Sequence, residues 1–262
     1  MSNKLSHDLS WAGRELMRSF FLQMKPRPRM TVSEWADEYR YLPAESSPEP
    51  GKWKTDRAPY QRDIMNAIND PAVHTVVVMT CAQIGKSETL NNIFFYLADQ
   101  DPCPVLMIQP TLDDARDYSM SRLAPAIRDS KRLRELFGQD AYKVKRSDNT
   151  ILKKKFPGGR LVLIGANSPS GLASKPIRVL LPDEIDRYEI TKEGDPIELA
   201  RKRTTNFYNR LMVLTSTPGL KGKSTIEKWY NLSDKRNYFV TCPGCGKEMT
   251  LKSVSYTHLT LP

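Results

Sequence analysis

The sequence predicts an α/β fold, a mostly parallel sheet flanked by helices, and three observations predict it. Apolar runs recur along the chain, within 74–79 and at 104–109, 160–166, 177–181 and 210–216. Stretches with helical spacing separate several of them. Two of the runs pass directly into polar residues: HTVVVMTCAQIGKSE (74–88) into Gly-Lys-Ser, and IRVLLPDEID (177–186) into Asp-Glu. A strand covered by helices on both faces reads as a continuous apolar run, which is the pattern here.

The elements follow in order. MSNKLSHDLS lacks the apolar core of a signal peptide, and no stretch reaches 18 apolar residues, so a soluble protein with no membrane partner is expected. KPRPRMTVSEWADEYRYL opens with basic residues set between prolines. A helix then starts at Thr31, where Glu34 three residues on completes a capping box, and Val32, Trp35, Ala36 and Tyr39 form its apolar stripe. PAESSPEPG (43–51) is a proline-rich linker, so residues 1–50 read as a helical region and linker. APYQRDIMNAIND predicts a short helix before the first strand. After Gly-Lys-Ser, Leu90, Ile93, Phe94 and Leu97 fall at i, i+3, i+4, i+7 and predict a helix with one buried face. Residues 112–136 read as helical with a break at Pro125. ILKKKFPGGRLVLIG reads as a β-hairpin turned by Pro157-Gly158-Gly159.

The two polar junctions carry the chemistry. A loop between a buried strand and a helix N-terminus offers a triphosphate its backbone N–H groups and a favourable dipole. Lys86 would reach the β- and γ-phosphates, the Ser87 hydroxyl would bind Mg²⁺, and Gly85 would let the backbone come close. The pattern G-x-x-x-x-G-K-[ST] asks for Gly at position 80, where this chain has Thr80. On the second junction Asp183 would hold Mg²⁺ and Glu184 would activate the attacking water. Adjacent acids at the end of a buried strand are costly unless a cation or hydrogen bonds compensate. Pro182 lacks an N–H and suits a strand terminus. Together the junctions predict a nucleoside-triphosphatase using ATP and Mg²⁺.

Forty basic against thirty acidic residues give +10 and a pI near 9.4, which favours a polyanionic partner. Lys143, Lys145, Arg146, Lys153, Lys154, Lys155 and Arg160 crowd one stretch, against the single acid Asp148. In the hairpin, Lys153, Lys154 and Lys155 could follow a DNA backbone without reading sequence. The four cysteines do not make a disulfide framework in a chain this long, which points to a reducing compartment. Cys242-Pro-Gly-Cys245 is half of a zinc knuckle, with His258 as a third candidate ligand.

From about Thr31 to Lys252 the chain resembles the ATPase domain of the large terminase subunit of tailed phages, of the lambda-type, GpA-like family. The resemblance rests on TVSEWADEYRYL, APYQRDIM, CAQIGKSE, IQPTLDDARDYSMSRLAPAI, GANSPSGLASKPIRVLLPDEID, EGDPIELARKRT, LTSTPG and FVTCPGCGKEM. It implies a RecA-like ASCE P-loop NTPase fold over 51–235, in a motor that moves double-stranded DNA into a procapsid. It makes Tyr60 and Gln61 the adenine-recognising element, with Gln83 in the phosphate loop. It makes Thr215-Ser216-Thr217 the motif that senses the γ-phosphate. It also implies an arginine finger, for which Arg122, Arg201, Arg203 and Arg210 are candidates. The implied partners are double-stranded DNA, a small terminase subunit, the portal of the procapsid and further copies in a ring, in the host cytoplasm. Residues 236–252 would begin the linker to an endonuclease domain, for which the seventeen residues after Cys245 leave no room. Residues 253–262 lose the resemblance and are expected to be a non-native tail, the chain being a truncated large subunit. Two other readings compete. Asp183-Glu184-Ile185-Asp186 is also similar to a DEAD-type helicase box, but 46 residues after Ser216 cannot build the second lobe a helicase needs. The other is a fragment that binds ATP or DNA without turnover.

Overall fold

The computed structural model describes residues 30–138, 150–168 and 176–250, together with Gly13, Glu15 and Met17. Residues 1–30 form a unit of their own, in which Gly13, Glu15 and Met17 are helical, and the second unit begins at Thr31. Lys143, Lys145, Arg146, His258 and the expected tail at 253–262 lie outside the described residues.

The main sheet of the second unit comprises β1 (Thr75–Met79), β2 (Pro104–Gln109), β3 (Lys153–Phe156), β4 (Gly159–Gly165), β5 (Val179–Pro182) and β6 (Leu211–Ser216). Their spatial order is β1-β6-β5-β2-β4-β3, parallel throughout except for the β3–β4 edge hairpin. The apolar runs build its interior: Val105 to Ile108, Val179 to Leu181 and Leu211 to Leu214 are all buried. Burial on both faces explains why these strands show no polar alternation. Pro182 closes β5, as its missing N–H requires, and the next N–H, of Asp183, donates to the Ile108 carbonyl at 2.9 Å.

Helices cover the sheet: α1 (Val32–Tyr39), α2 (Tyr60–Asn66), α3 (Lys86–Gln100), α4 (Leu112–Tyr118), α5 (Ala124–Asp129), α6 (Lys131–Phe137), α7 (Pro196–Arg201) and α8 (Thr225–Asn231). The Thr31–Glu34 capping box is formed, and Val32, Trp35 and Ala36 are buried. Leu90, Ile93, Phe94 and Leu97 are buried on α3, as their spacing requires. The stretch 112–136 departs from the expected break. A π-helical turn at Ser119–Leu123 precedes Pro125, which sits in the first turn of α5, and the chain leaves the helix at Ser130 instead. The helix continues unbroken from 112 to 129, and the wider π-turn before Pro125 accommodates the proline, which lacks an N–H to donate back along the helix. The proline-rich linker is closed at its base by a ribbon pairing Tyr41–Leu42 with Gly51–Lys52. A second ribbon pairs Phe239–Thr241 with Glu248–Thr250 and holds Cys242 and Cys245 in its turn.

Candidate active site

One feature of the sheet order creates the site. Strand β6 lies between the strand leading to the Lys86 loop, β1, and the strand leading to the acids, β5. Three strand ends therefore meet at one carboxyl edge, where ligands gather in open α/β sheets.

The loop after β1 is pinned at its start by the Thr80 N–H, which donates to the Ser216 carbonyl at 3.3 Å. Gln83 and Gly85 both take left-handed backbone angles, φ 62° and 83°, with Gly85 as the N-cap of α3. Left-handed residues interspersed in a loop turn peptide N–H groups into a shared concavity suited to an anion. Position 85 favours glycine, because its φ of 83° strains any side-chain-bearing residue and an added Cβ would displace the Gln61 amide, whose nitrogen would lie within 2.4 Å. The Lys86 ammonium is buried and folds back into the loop. It donates to the Cys81 carbonyl at 3.0 Å and to the Thr217 hydroxyl at 2.7 Å, and pairs with Glu184 Oε1 at 3.5 Å.

The acids stand opposite. Ser87 donates to Asp183 Oδ2 at 3.1 Å, and the buried Thr215 hydroxyl donates to Asp183 Oδ1 at 2.7 Å. Burial pushes the Asp183 carboxyl above the usual aspartate range; the Thr215 bond opposes this and the charge of Glu184 adds to it. Glu184 takes the left-handed conformation, φ 53° and ψ 49°, unusual for a side-chain-bearing residue. The conformation brings its Oε2 to the Thr217 N–H at 3.4 Å and its Oε1 to Lys86. Ser216 accepts from the Asp186 N–H at 3.1 Å, and Asp186 in turn accepts from the Gly219 and Ile226 N–H groups, both at 2.7 Å. The β6 end and the acidic turn are thus one hydrogen-bonded body. Lys86, Glu184 and Thr217 form one set of contacts and Ser87, Asp183 and Thr215 a second, the two joined through the chain at 86–87 and 183–184.

Tyr60 and Gln61 occupy the outer flank of the loop. The Tyr60 hydroxyl donates to the Ile84 carbonyl at 3.1 Å, and the Gln61 amide nitrogen donates to the same carbonyl at 2.7 Å. Gln61 is 4% exposed, and among the described residues its Oε1 has no hydrogen-bond partner. Gln61, expected to recognise adenine, thus has one amide hydrogen committed to the loop. What it retains is a second amide hydrogen and a buried acceptor.

Other groups at the site were not evident from the sequence. Gln109 ends β2 close enough to Asp183 to lower its proton affinity slightly, although its amide nitrogen makes no hydrogen bond among the described residues. The signal was a polar residue closing an otherwise apolar run. Tyr118 donates to the Ser87 carbonyl at 3.2 Å and to Asn91 at 2.8 Å, and burial raises its phenol far above the ordinary range. Nothing in its helical spacing distinguished it from a packing residue. Of the candidate arginines, Arg122 lies in the π-helical turn after Tyr118, Arg201 pairs with Glu198 at 2.9 Å, Arg203 follows α7, and Arg210 directly precedes β6.

The hairpin corrects one expectation. Lys154 is buried, its ammonium bonded to the Thr150 carbonyl at 3.1 Å, and burial lowers its pKa. Lys153 and Lys155, on the alternate face of β3, are exposed. Pairing of Phe156 with Gly159 leaves Pro157-Gly158 as the turn, with Gly158 at φ 81°, so Gly159 belongs to the strand. Cys242 and Cys245 are reduced, and no group of three or more metal-binding side chains exists among the described residues.

Residues 47–261 match the family described as phage terminase large subunit gpA, ATPase domain. The match takes in residues 253–261, which the sequence reading had set apart as a tail. The chain is 34% identical over 234 residues to the large terminase subunit of Enterobacteria phage P21, covering 87% of this chain and 35% of that protein. It is 33% identical over 254 residues to the large terminase subunit of Escherichia phage lambda, covering 95% and 38%. It thus spans little more than a third of these relatives. In fold it is similar to the large terminase of bacteriophage HK97, with a TM-score of 0.60 at 13% identity, over 77% of this chain and 41% of that one.

Proposed function

This chain belongs to the family of phage terminase large subunit gpA ATPase domains, and on that premise we propose that it hydrolyses ATP to drive double-stranded DNA into a viral procapsid. The observation that carries the proposal is the convergence of Lys86, Ser87, Asp183 and Glu184 at the edge where β1, β6 and β5 end. Lys86 would leave its carbonyl and hydroxyl partners for the β- and γ-phosphates, with the N–H groups around Gln83 and Gly85 completing the cradle. Ser87 and Asp183 fit a Mg²⁺ ion, being a hydroxyl and a buried carboxylate 3.1 Å apart. Bound there, the ion would neutralise charge on the phosphates. Glu184 would orient the attacking water and accept its proton, its left-handed backbone holding the carboxylate toward Lys86. Thr215, Ser216 and Thr217 touch Asp183, the acidic turn and Lys86 respectively. Through these contacts they would pass loss of the γ-phosphate from the acids to the rest of the sheet.

The wider reading follows the family. The parent protein would act in the host cytoplasm as a ring of copies, with a small terminase subunit and the portal, and would carry an endonuclease beyond an ATPase domain spanning 51–235. Tyr60 and Gln61 would take the adenine, and Cys242 and Cys245 would give one half of a zinc site in the linker from 236. DNA-stimulated ATP hydrolysis tests the core of the proposal. Lys86→Ala should lose both ATP binding and turnover. Glu184→Gln should keep ATP binding while turnover falls about 10²–10⁴-fold, the usual range for loss of a general base. Turnover at the parent rate in either variant would remove the role given to that residue.

A further inference from the structure

The ring of Tyr238 packs edge-on against Tyr60, with centroids 6.0 Å apart and planes at 73°. Tyr60 is not a passive neighbour, since its hydroxyl is fixed to the Ile84 carbonyl of the phosphate loop. Beside it lies the unpartnered Oε1 of the nine-tenths-buried Gln61. Tyr238 itself is 47% exposed and immediately precedes the Cys242–Cys245 ribbon. A half-exposed aromatic ring, a second ring inclined to it at 73° and a buried acceptor are thus gathered on one flank of the loop. We propose that Tyr238 is a base-binding residue of the nucleotide site, stacking on the purine while the Gln61 acceptor receives its exocyclic amine. This rests on the nucleotide reading above and extends it to a residue remote in sequence from either phosphate motif.

The chemistry selects the base. One amide hydrogen of Gln61 is engaged by Ile84, and its Oε1 acceptor has no hydrogen-bond partner among the described residues. The 6-amino group of adenine can donate to it, whereas the 6-oxo group of guanine would oppose it lone pair to lone pair. Stacking on Tyr238 adds affinity that any purine would share. A bound base would also tie the Cys242–Cys245 ribbon to the phosphate loop through Tyr238 and Tyr60.

Calorimetric titration of the full chain with Mg·ATP, Mg·GTP and inorganic tripolyphosphate separates the parts. Tyr238→Ala should weaken ATP by about tenfold, as loss of one stacking partner does. It should leave tripolyphosphate, which has no base, within about twofold of the parent. Tyr238→Phe should bind all three as the parent does, and Gln61→Glu, which keeps the acceptor, should still prefer ATP to GTP. Equal weakening of ATP and tripolyphosphate by Tyr238→Ala would mean that the ring acts through Tyr60 on the loop, overturning the proposal. Unchanged ATP affinity would overturn it too. Lys86→Ala supplies the separate check: undiminished tripolyphosphate binding there would bring down the nucleotide reading itself, whatever Tyr238 does.

Discussion

The four thiols and Asp183 show how single residues report on the site. Cys81 lies exposed in the phosphate loop, with its carbonyl bonded to Lys86. Cys242 accepts hydrogen bonds from the Gly244 and Cys245 backbones, which lower its thiol pKa, whereas burial pushes Cys103 up to about 11. Since the thiolate is the nucleophile, Cys242 should alkylate first as pH rises and Cys103 last. For Cys103 the native state keeps a proton between pH 9 and about 11 that the unfolded chain has lost, so its linkage lowers stability as pH rises through that window. Mass-spectrometric mapping of iodoacetamide adducts checks the order, and Mg·ATP should selectively protect Cys81. Early labelling of Cys103 would contradict its burial, and unprotected Cys81 would place the nucleotide elsewhere. Asp183 yields a second prediction. Its charge is buried with hydroxyl partners and beside Glu184, and Ser87 and Thr215 can reorient their protons around a neutral amide. Asp183→Asn should therefore raise the melting temperature of the nucleotide-free protein by about 3 °C, the shift expected for about 1 kcal/mol in a chain of this size. Calorimetry should also show that Mg·ATP no longer stabilises the variant. A lower melting temperature would mean that the native carboxylate is already fully compensated.

Among the elements, α1 is tied to the helix of the phosphate loop by a buried cation. Arg40, the C-cap of α1, is fully buried; it bonds Asn92 at 2.8 Å and Glu88 at 2.5 Å and lies 5.0 Å over the Phe95 ring. Burial alone would lower its pKa, and Glu88 opposes that. Removing one member of a buried pair leaves the other uncompensated, at a cost of about 3 kcal/mol. Arg40→Met should therefore lower stability by about that amount in urea denaturation. Because Glu88 directly follows Ser87, it should also raise the KM for ATP more than it lowers kcat. A loss below about 0.5 kcal/mol would show that water screens the pair. This junction explains what the sequence could and could not show. Arg40 sits 48 residues from Glu88, and no local spacing links them. By contrast α1, α3, the β3–β4 hairpin and the apolar strands were legible because capping, period and turn chemistry are local. The π-helical turn at 119–123 was not, since a one-residue widening of the turn leaves no period in the sequence. At the site, Lys86, Ser87, Asp183 and Glu184 were readable because each ends a strand or opens a helix. The contacts of Gln109 and Tyr118 depend on strands and helices that meet only in the folded sheet.

At the scale of the whole molecule, a net charge of +10 matters through where it is concentrated. The β3 edge presents Lys153 and Lys155 to solvent on alternate residues, while Lys154 between them points inward to Thr150. Side chains two apart on a strand stand roughly 7 Å from one another, close to the spacing of successive phosphates along one DNA strand. On the proposed motor reading, the edge would follow a backbone without contacting bases. Each phosphate neutralised releases condensed counterions, so the logarithm of affinity falls with the logarithm of salt by about 0.9 per contact. If both lysines make such contacts, replacing them with alanine should weaken duplex binding and flatten the salt dependence by about 1.8 in slope. Lys154→Met should leave the slope unchanged and alter stability instead, since its ammonium bonds within the hairpin. The measurement is fluorescence anisotropy of a labelled duplex across a potassium chloride series, with unstimulated ATP hydrolysis followed in parallel. A double variant with the parent slope would move the DNA-binding surface off this edge. A slope change with Lys154→Met alone would mean that the hairpin turns over when it meets DNA. Unaltered unstimulated hydrolysis with the predicted change in slope would separate the proposed DNA-gripping edge from the proposed catalytic edge where β1, β6 and β5 end, as conversion of hydrolysis into movement would demand of two sites on one sheet.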